Sequence, residues 1–193
     1  MGKALRQNLM GIDDFLALDA TQQARSELVH GEVFAMAGAE DRHNTVAINI
    51  AIALRGHLAG SRYRTFLSDV KIRVAAADSV FYPDVMVTCS ETDRLSPLVK
   101  SEPLLIVEVL SPSTAAHDRG DKFASYRMLA SLSEYVLVDL DTRCTDVYRK
   151  NDGGLWVLHP FAPNEAVTLA SVDLPIPFDQ LFAEVDDLSP PDG

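Results

Sequence analysis

Glu108 is the one carboxylate in residues 104–110 (LLIVEVL), an apolar run of the kind that forms a strand covered on both faces. Desolvating a lone charge in such a strand is costly, so Glu108 needs a cationic partner or a metal. Side chains alternate along a strand, which turns Glu108 away from the face taken by Val107 and Val109. It also leaves the acid near the strand's carboxyl end, where α/β sheets assemble their sites. A second acid, Asp84, follows Pro83 in Tyr82-Pro83-Asp84-Val85-Met86-Val87, another strand-like segment, and proline marks a strand start, edge or bulge. Two acids on adjacent strands suffice for one hard cation such as Mg²⁺, which takes few protein carboxylates and keeps several waters. Such an ion acidifies a bound water and shields charge on a phosphoryl oxygen. The competing reading of Glu108 is a salt bridge to a nearby arginine.

Periodicity outlines the elements that must position these acids. A short helix is expected over 12–19, then two short strands, 28–29 and 32–36, around His30-Gly31. Val46, Ile50, Ala53, Leu54 and Leu58 fall at helical spacing over 41–59, and Gly60 suits the stop. Strand-like runs follow at 63–67, 70–74 and 80–88, ahead of 104–110. Ser111-Pro112-Ser113-Thr114 breaks that strand and offers hydroxyl caps to a helix over 116–131. Further strands are expected at 134–140, 145–149 and 155–159, with Asp152-Gly153-Gly154 as a hairpin turn and Asp139 capping the turn after its strand. Strands, a buried strand, a helix and more strands predict an α/β architecture with a mixed sheet.

The longer pattern is similar to that of a known family. Glu27-Leu-Val-His-Gly-Glu32, His43, Tyr82-Pro-Asp84, Val107-Glu-Val-Leu-Ser-Pro-Ser113, Asp118-Arg-Gly-Asp-Lys122, Tyr126 and Glu134-Tyr-Val-Leu-Val-Asp139 together resemble the Uma-two family, restriction-endonuclease-like proteins of the PD-(D/E)XK nuclease superfamily. The resemblance covers roughly residues 10–150. It implies a restriction-endonuclease-like mixed β-sheet flanked by helices, and metal-dependent hydrolysis of phosphodiester bonds in DNA with Mg²⁺ or Mn²⁺. Asp84 and Glu108 would be the metal ligands. The superfamily pattern expects lysine two residues after the strand glutamate, where this chain has Leu110. The resemblance implies that Lys122 on the next helix takes over, orienting water or stabilising charge on the phosphate, and acting as a base if the site lowers its pKa. The alternative for Lys122 is an i,i+4 surface pair with Asp118. Glu32 matches an early family acid and is the third expected carboxylate, whereas Glu27 reads as structural. His43, Arg42 and Arg73 are expected to meet phosphates, and Asp69 is left out of the site.

Composition bounds these expectations. At 193 residues the chain suits one domain, divided into a restriction-endonuclease-like part over 10–160 and an acidic, proline-containing arm over 161–193. The net charge of −11 argues against nucleic acid, but its distribution is uneven. Residues 161–193 hold seven acids and no Lys or Arg, while 42–73 hold six basic residues against Asp69. The opening residues lack an apolar stretch and no run reaches ~18 apolar residues, so a cytoplasmic protein is expected. Cys89 and Cys144 read as buried thiols. Without a Gly-rich phosphate loop, a Gly-x-Ser-x-Gly elbow or a His/Cys cluster, nucleotide-driven, serine-hydrolase and zinc chemistry are disfavoured. A homodimer is expected, since cutting two strands benefits from two sites. The alternative functions are a catalytically silent binding or assembly module and a metal-dependent phosphatase or nucleotidase.

Overall fold

A computed structural model describes residues 9–36, 38, 40–112 and 114–185. In chain order the elements are α1 (Ile12–Asp19), β1 (Ser26–Val29), β2 (Glu32–Ala35), α2 (Asp41–His57), β3 (Arg64–Leu67), β4 (Lys71–Val74), β5 (Ser79–Phe81), β6 (Val85–Thr88), α3 (Glu91–Leu95), β7 (Val99–Lys100) and β8 (Pro103–Leu110). After β8 come α4 (Ala115–His117), a π-helical turn (Asp118–Lys122) and α5 (Phe123–Tyr126), followed by β9 (Glu134–Asp139), β10 (Thr145–Lys150) and β11 (Trp156–Phe161). A two-stranded ribbon, Val167–Leu169 with Leu174–Ile176, and a last short helix, Phe178–Leu181, close the described chain.

Six strands form the central sheet in the order β11-β10-β9-β8-β6-β3, and five form a second sheet in the order β2-β1-β5-β4-β7. The central sheet is mixed: β8 and β9 run parallel, while β6 lies antiparallel to β8. This is the helix-flanked mixed α/β fold expected from the sequence, with a second sheet beside the one expected. Alternation along β8 sorts its side chains. Leu105, Val107 and Val109 pack with Val46, Ile50 and Leu54 of α2, whereas Ile106 and Leu110 pack with Ile72, Phe81 and Tyr126 on the other face. Glu108 shares parity with Ile106 and Leu110, so it enters the layer between the central sheet, the second sheet and α5.

The single strand expected over 80–88 is two strands in two different sheets. Pro83 lacks the N–H a ladder needs, and the chain passes at Tyr82–Asp84 from β5 in the second sheet to β6 in the central one. Asp84 therefore lies in the crossover, one step before β6. The β6–β8 register pairs Val85 with Val107, and extending it by one residue sets Asp84 opposite Glu108. At the β1–β2 hairpin, Val29 pairs with Glu32 across a turn in which His30 and Gly31 both have positive φ (50° and 85°). The His30 amide donates to Ser79 Oγ (3.0 Å), which helps hold that non-glycine residue in the left-handed region.

The helix expected over 116–131 is shorter and carries the π turn, and α3 was not anticipated. Its cap is local: the Asp93 amide donates to Ser90 Oγ (3.2 Å). Asp139 caps as anticipated, its Oδ1 accepting the amides of Asp141 (3.1 Å) and Thr142 (3.0 Å). The described part of segment 161–193 inserts Val167, Leu169, Leu174, Ile176, Leu181 and Phe182 into the α2-side core, while 186–193 lie outside the described residues. Cys89 and Cys144 are free thiols, as anticipated, but half-buried rather than buried. No helix among the described residues is long and apolar enough to cross a membrane.

Candidate active site

Lys122 is the hub of a buried charge cluster. Its Nζ lies 3.2 Å from Glu27 Oε1, 3.3 Å from Glu108 Oε1 and 3.4 Å from Asp118 Oδ1. Three different parts of the fold deliver these acids. Glu27 comes from β1, Glu108 from β8, and Asp118 from the π turn that also carries Lys122. Wide turns of this kind recur at functional sites, and here Tyr135 Oη donates to the Asp118 carbonyl within it (2.9 Å). Tyr126 Oη donates to Glu108 Oε1 at 2.9 Å, and the Tyr82 amide donates to Glu27 Oε1 at 3.0 Å. Asp84 stands beside them: its Oδ2 accepts the Val109 amide (2.7 Å) and lies 3.2 Å from His43 Nε2. All of these acids, with Lys122 and His43, line one cleft of about 630 Å³.

The electrostatics follow from burial and an excess of acids. Burial pushes the Glu108 carboxyl well above the usual range; Lys122 pulls it down, while Asp84, Asp118 and Glu27 push it further up. Burial alone would lower the Lys122 pKa, but Glu108, Glu27, Asp118 and Asp84 outweigh it and raise it. Lys122 is thus held as an ammonium, which corrects the expectation that the site could turn it into a base. Burial likewise opposes the charged form of His43, yet its hydrogen bond to Asp84 and that acid's charge raise its pKa overall. The Tyr126 phenol is driven well up, first by burial and then by Glu108, so it remains a donor.

The donor set suits a hard divalent ion. Asp84 and Glu108 supply carboxylate oxygens from facing positions in one cleft, and Glu27, Glu108 and Asp118 share the Lys122 ammonium. Asp118 Oδ1 is buried without a hydrogen bond, the 3.4 Å ion pair to Lys122 being its nearest neutralisation. Among the described residues no three His, Cys, Asp or Glu side chains converge to hold a metal unaided. Asp84 and Glu108 are the residues that would hold such an ion, with the rest of its shell left to water or substrate oxygens.

Of the anticipated site residues, the fold brings together Asp84, Glu108, Lys122 and His43. It does not bring Glu32, Arg42 or Arg73 to the cleft. Glu32 is exposed at the hairpin turn, on the ladder face of Glu27 but two pairs nearer the turn and off the cleft, and Glu27 occupies the place assigned to it. Arg42 pairs with Glu40 (3.3 Å) and Asp141 (3.7 Å), and Arg73 with Asp13 (2.9 Å). Lys122 does pair with Asp118, but inside the cluster and not on the surface. Sequence reasoning missed Glu27 and Asp118 as cleft residues and Tyr126 as the buried donor behind Glu108. For Glu27 a signal was present, since an acid inside the strand Ser26–Val29 raises the same desolvation question as Glu108.

The chain is similar to several known proteins. The Synechocystis protein slr1290 is 33% identical over 170 residues, covering 88% of this chain and 90% of its own. The Synechocystis protein sll1609 is 35% identical over 148 residues, covering 75% and 83%. The crystal structure of a "putative nuclease belonging to DUF820" from Anabaena variabilis superposes with a TM-score of 0.77 at 19% identity, covering 91% of this chain and 99% of that one, which shows a shared fold. The Uma2 family, described as "Putative restriction endonuclease", matches residues 12–179. With the family pattern spanning most of the chain, this protein belongs to the Uma2 family.

Proposed function

We propose that this protein is a metal-dependent nuclease that hydrolyses phosphodiester bonds in DNA, with Asp84 and Glu108 holding Mg²⁺ or Mn²⁺ in the cleft. The observation that carries the reading is the facing pair Asp84 and Glu108 within an acid-rich, under-neutralised pocket. When bound, the ion supplies an acidified water and neutralises charge on the attacked phosphate. Asp84 is oriented for this by the Val109 amide, and Glu108 by the Tyr126 phenol. Lys122 lies against both Glu108 and Glu27 and presents a fixed positive charge between them, so its part is electrostatic positioning. His43, tied to Asp84 at the mouth of α2, is the residue placed to donate to a phosphate oxygen.

Cleavage of a labelled oligonucleotide with Mg²⁺ or Mn²⁺ tests the proposal. Asp84→Ala and Glu108→Ala should each cost at least about a hundred-fold in rate while the protein stays folded, the scale of losing metal-based charge stabilisation. Undiminished cleavage in both variants would remove the cleft as the site. Hydrolysis of mononucleotides in preference to polymers would favour the phosphatase alternative.

A further inference from the structure

Across the β1–β2 ladder the direct partner of Glu27 is Phe34. Such cross-strand neighbours share a face, with Cβ atoms about 5 Å apart, so Phe34 stands on the cleft side above the acid cluster. It lines the cleft with Ala35 and Met36, and it is 50% exposed, with Met36 at 37%. The cleft thus has two chemically distinct walls: carboxylates that face a metal and its phosphate, and a flat aromatic surface open to solvent directly beside them. Three arginines at the cleft or expected near it already hold ion pairs. Arg25 at the cleft is ion-paired to Asp69, Arg42 to Glu40 and Asp141, and Arg73 to Asp13. Backbone tracking by a basic surface is how duplexes are held, whereas unpaired bases are held by stacking on aromatic rings.

Resting on the nuclease reading, we infer that the cleft takes an unpaired nucleotide, its base stacked on Phe34 and its phosphate over Asp84 and Glu108. The substrate class is then single-stranded or locally opened nucleic acid, whose bases are free to stack on an aromatic ring. The edge strand β2, every residue of which is exposed, forms the stacking wall.

The test is fluorescence anisotropy of short labelled single-stranded DNA, single-stranded RNA and blunt duplex DNA against the full chain in Ca²⁺. Either single strand should bind more tightly than the duplex. Phe34→Ala should weaken single-strand binding on the order of ten-fold, and Phe34→Trp should retain it. The two single-strand arms separate DNA from RNA. The inference is overturned if the duplex binds more tightly, or if Phe34→Ala binds single strands like the parent. It is also overturned if Phe34→Ala changes only the sedimentation of the protein, which would mean that a second copy covers this wall. Duplex cleavage that depends on Asp84 and ignores Phe34 would sink this inference and leave the nuclease reading standing. Failure to bind or cut any polymer would sink both.

Discussion

Glu108 and Glu134 lie on neighbouring parallel strands, and both carboxylates are buried, yet their surroundings differ in kind. Glu134 opens β9 on the face toward α2 and is fully supplied. Arg149 Nε donates to Oε1 at 2.8 Å, the Ala170 amide to the same oxygen at 3.0 Å and the Ser171 amide to Oε2 at 2.8 Å. Glu108 sits near the end of β8 on the opposite face and shares one ammonium with Glu27 and Asp118. The first arrangement satisfies its charge locally and ties the C-terminal ribbon to the sheet. In the second, three carboxylates share one ammonium, so the cluster is completed by protons or by a cation. A buried acid in a strand is therefore not diagnostic by itself; its supply of donors is.

That contrast can be broken or sharpened by substitution. Lys122→Met should cost about 3–5 kcal/mol in urea unfolding, because it leaves several acids buried around no charge, and Glu134→Ala should cost a similar amount by stranding Arg149. Only Lys122→Met should also abolish cleavage; equal loss of activity per folded molecule in Glu134→Ala would erase the distinction. Glu108→Gln, measured in EDTA, should leave stability within about 1 kcal/mol, since it removes a charge that its neighbours repel. A loss as large as that of Glu134→Ala would show Glu108 to be an ordinary structural acid.

A third buried acid sets the lower end of the scale. Asp19 accepts from Tyr82 Oη at 2.6 Å and pairs with Lys71 at 2.9 Å. Burial opposes its charge, but the bonds from Tyr82 and Lys71 prevail and lower its pKa. A lowered carboxylate pKa adds stability above the unfolded value near 3.8, and that stability is lost as pH falls through the folded value. Asp19→Asn should therefore cost about 2 kcal/mol at neutral pH, and the gap from the parent should close as pH drops below about 4. A pH-independent gap would assign the effect to packing.

Most of the strands, the long helix and the Asp84–Glu108 pair were legible because alternation and helical spacing are local properties. What escaped depended on register and partners. Two acids lie on one face of the hairpin around the His30-Gly31 turn, and only the packing of the second sheet against the central one shows that Glu27, farther from the turn, is the one buried at the cleft. Pro83 announced an interruption, but not that β5 and β6 part into different sheets. Arg42 and Arg73 formed a basic stretch in sequence, and their partners Asp141 and Asp13 come from far along the chain. The charge state of Lys122 could be deduced only once Glu27, Glu108 and Asp118 were placed round it.

Calorimetric titration of Mn²⁺ into EDTA-stripped protein probes the convergence of Asp84 and Glu108 most directly. One ion per chain should bind to the parent and be lost in both Asp84→Ala and Glu108→Ala, with Glu32→Ala binding like the parent. No binding by the parent at millimolar Mn²⁺, or binding that both variants retain, would contradict the site.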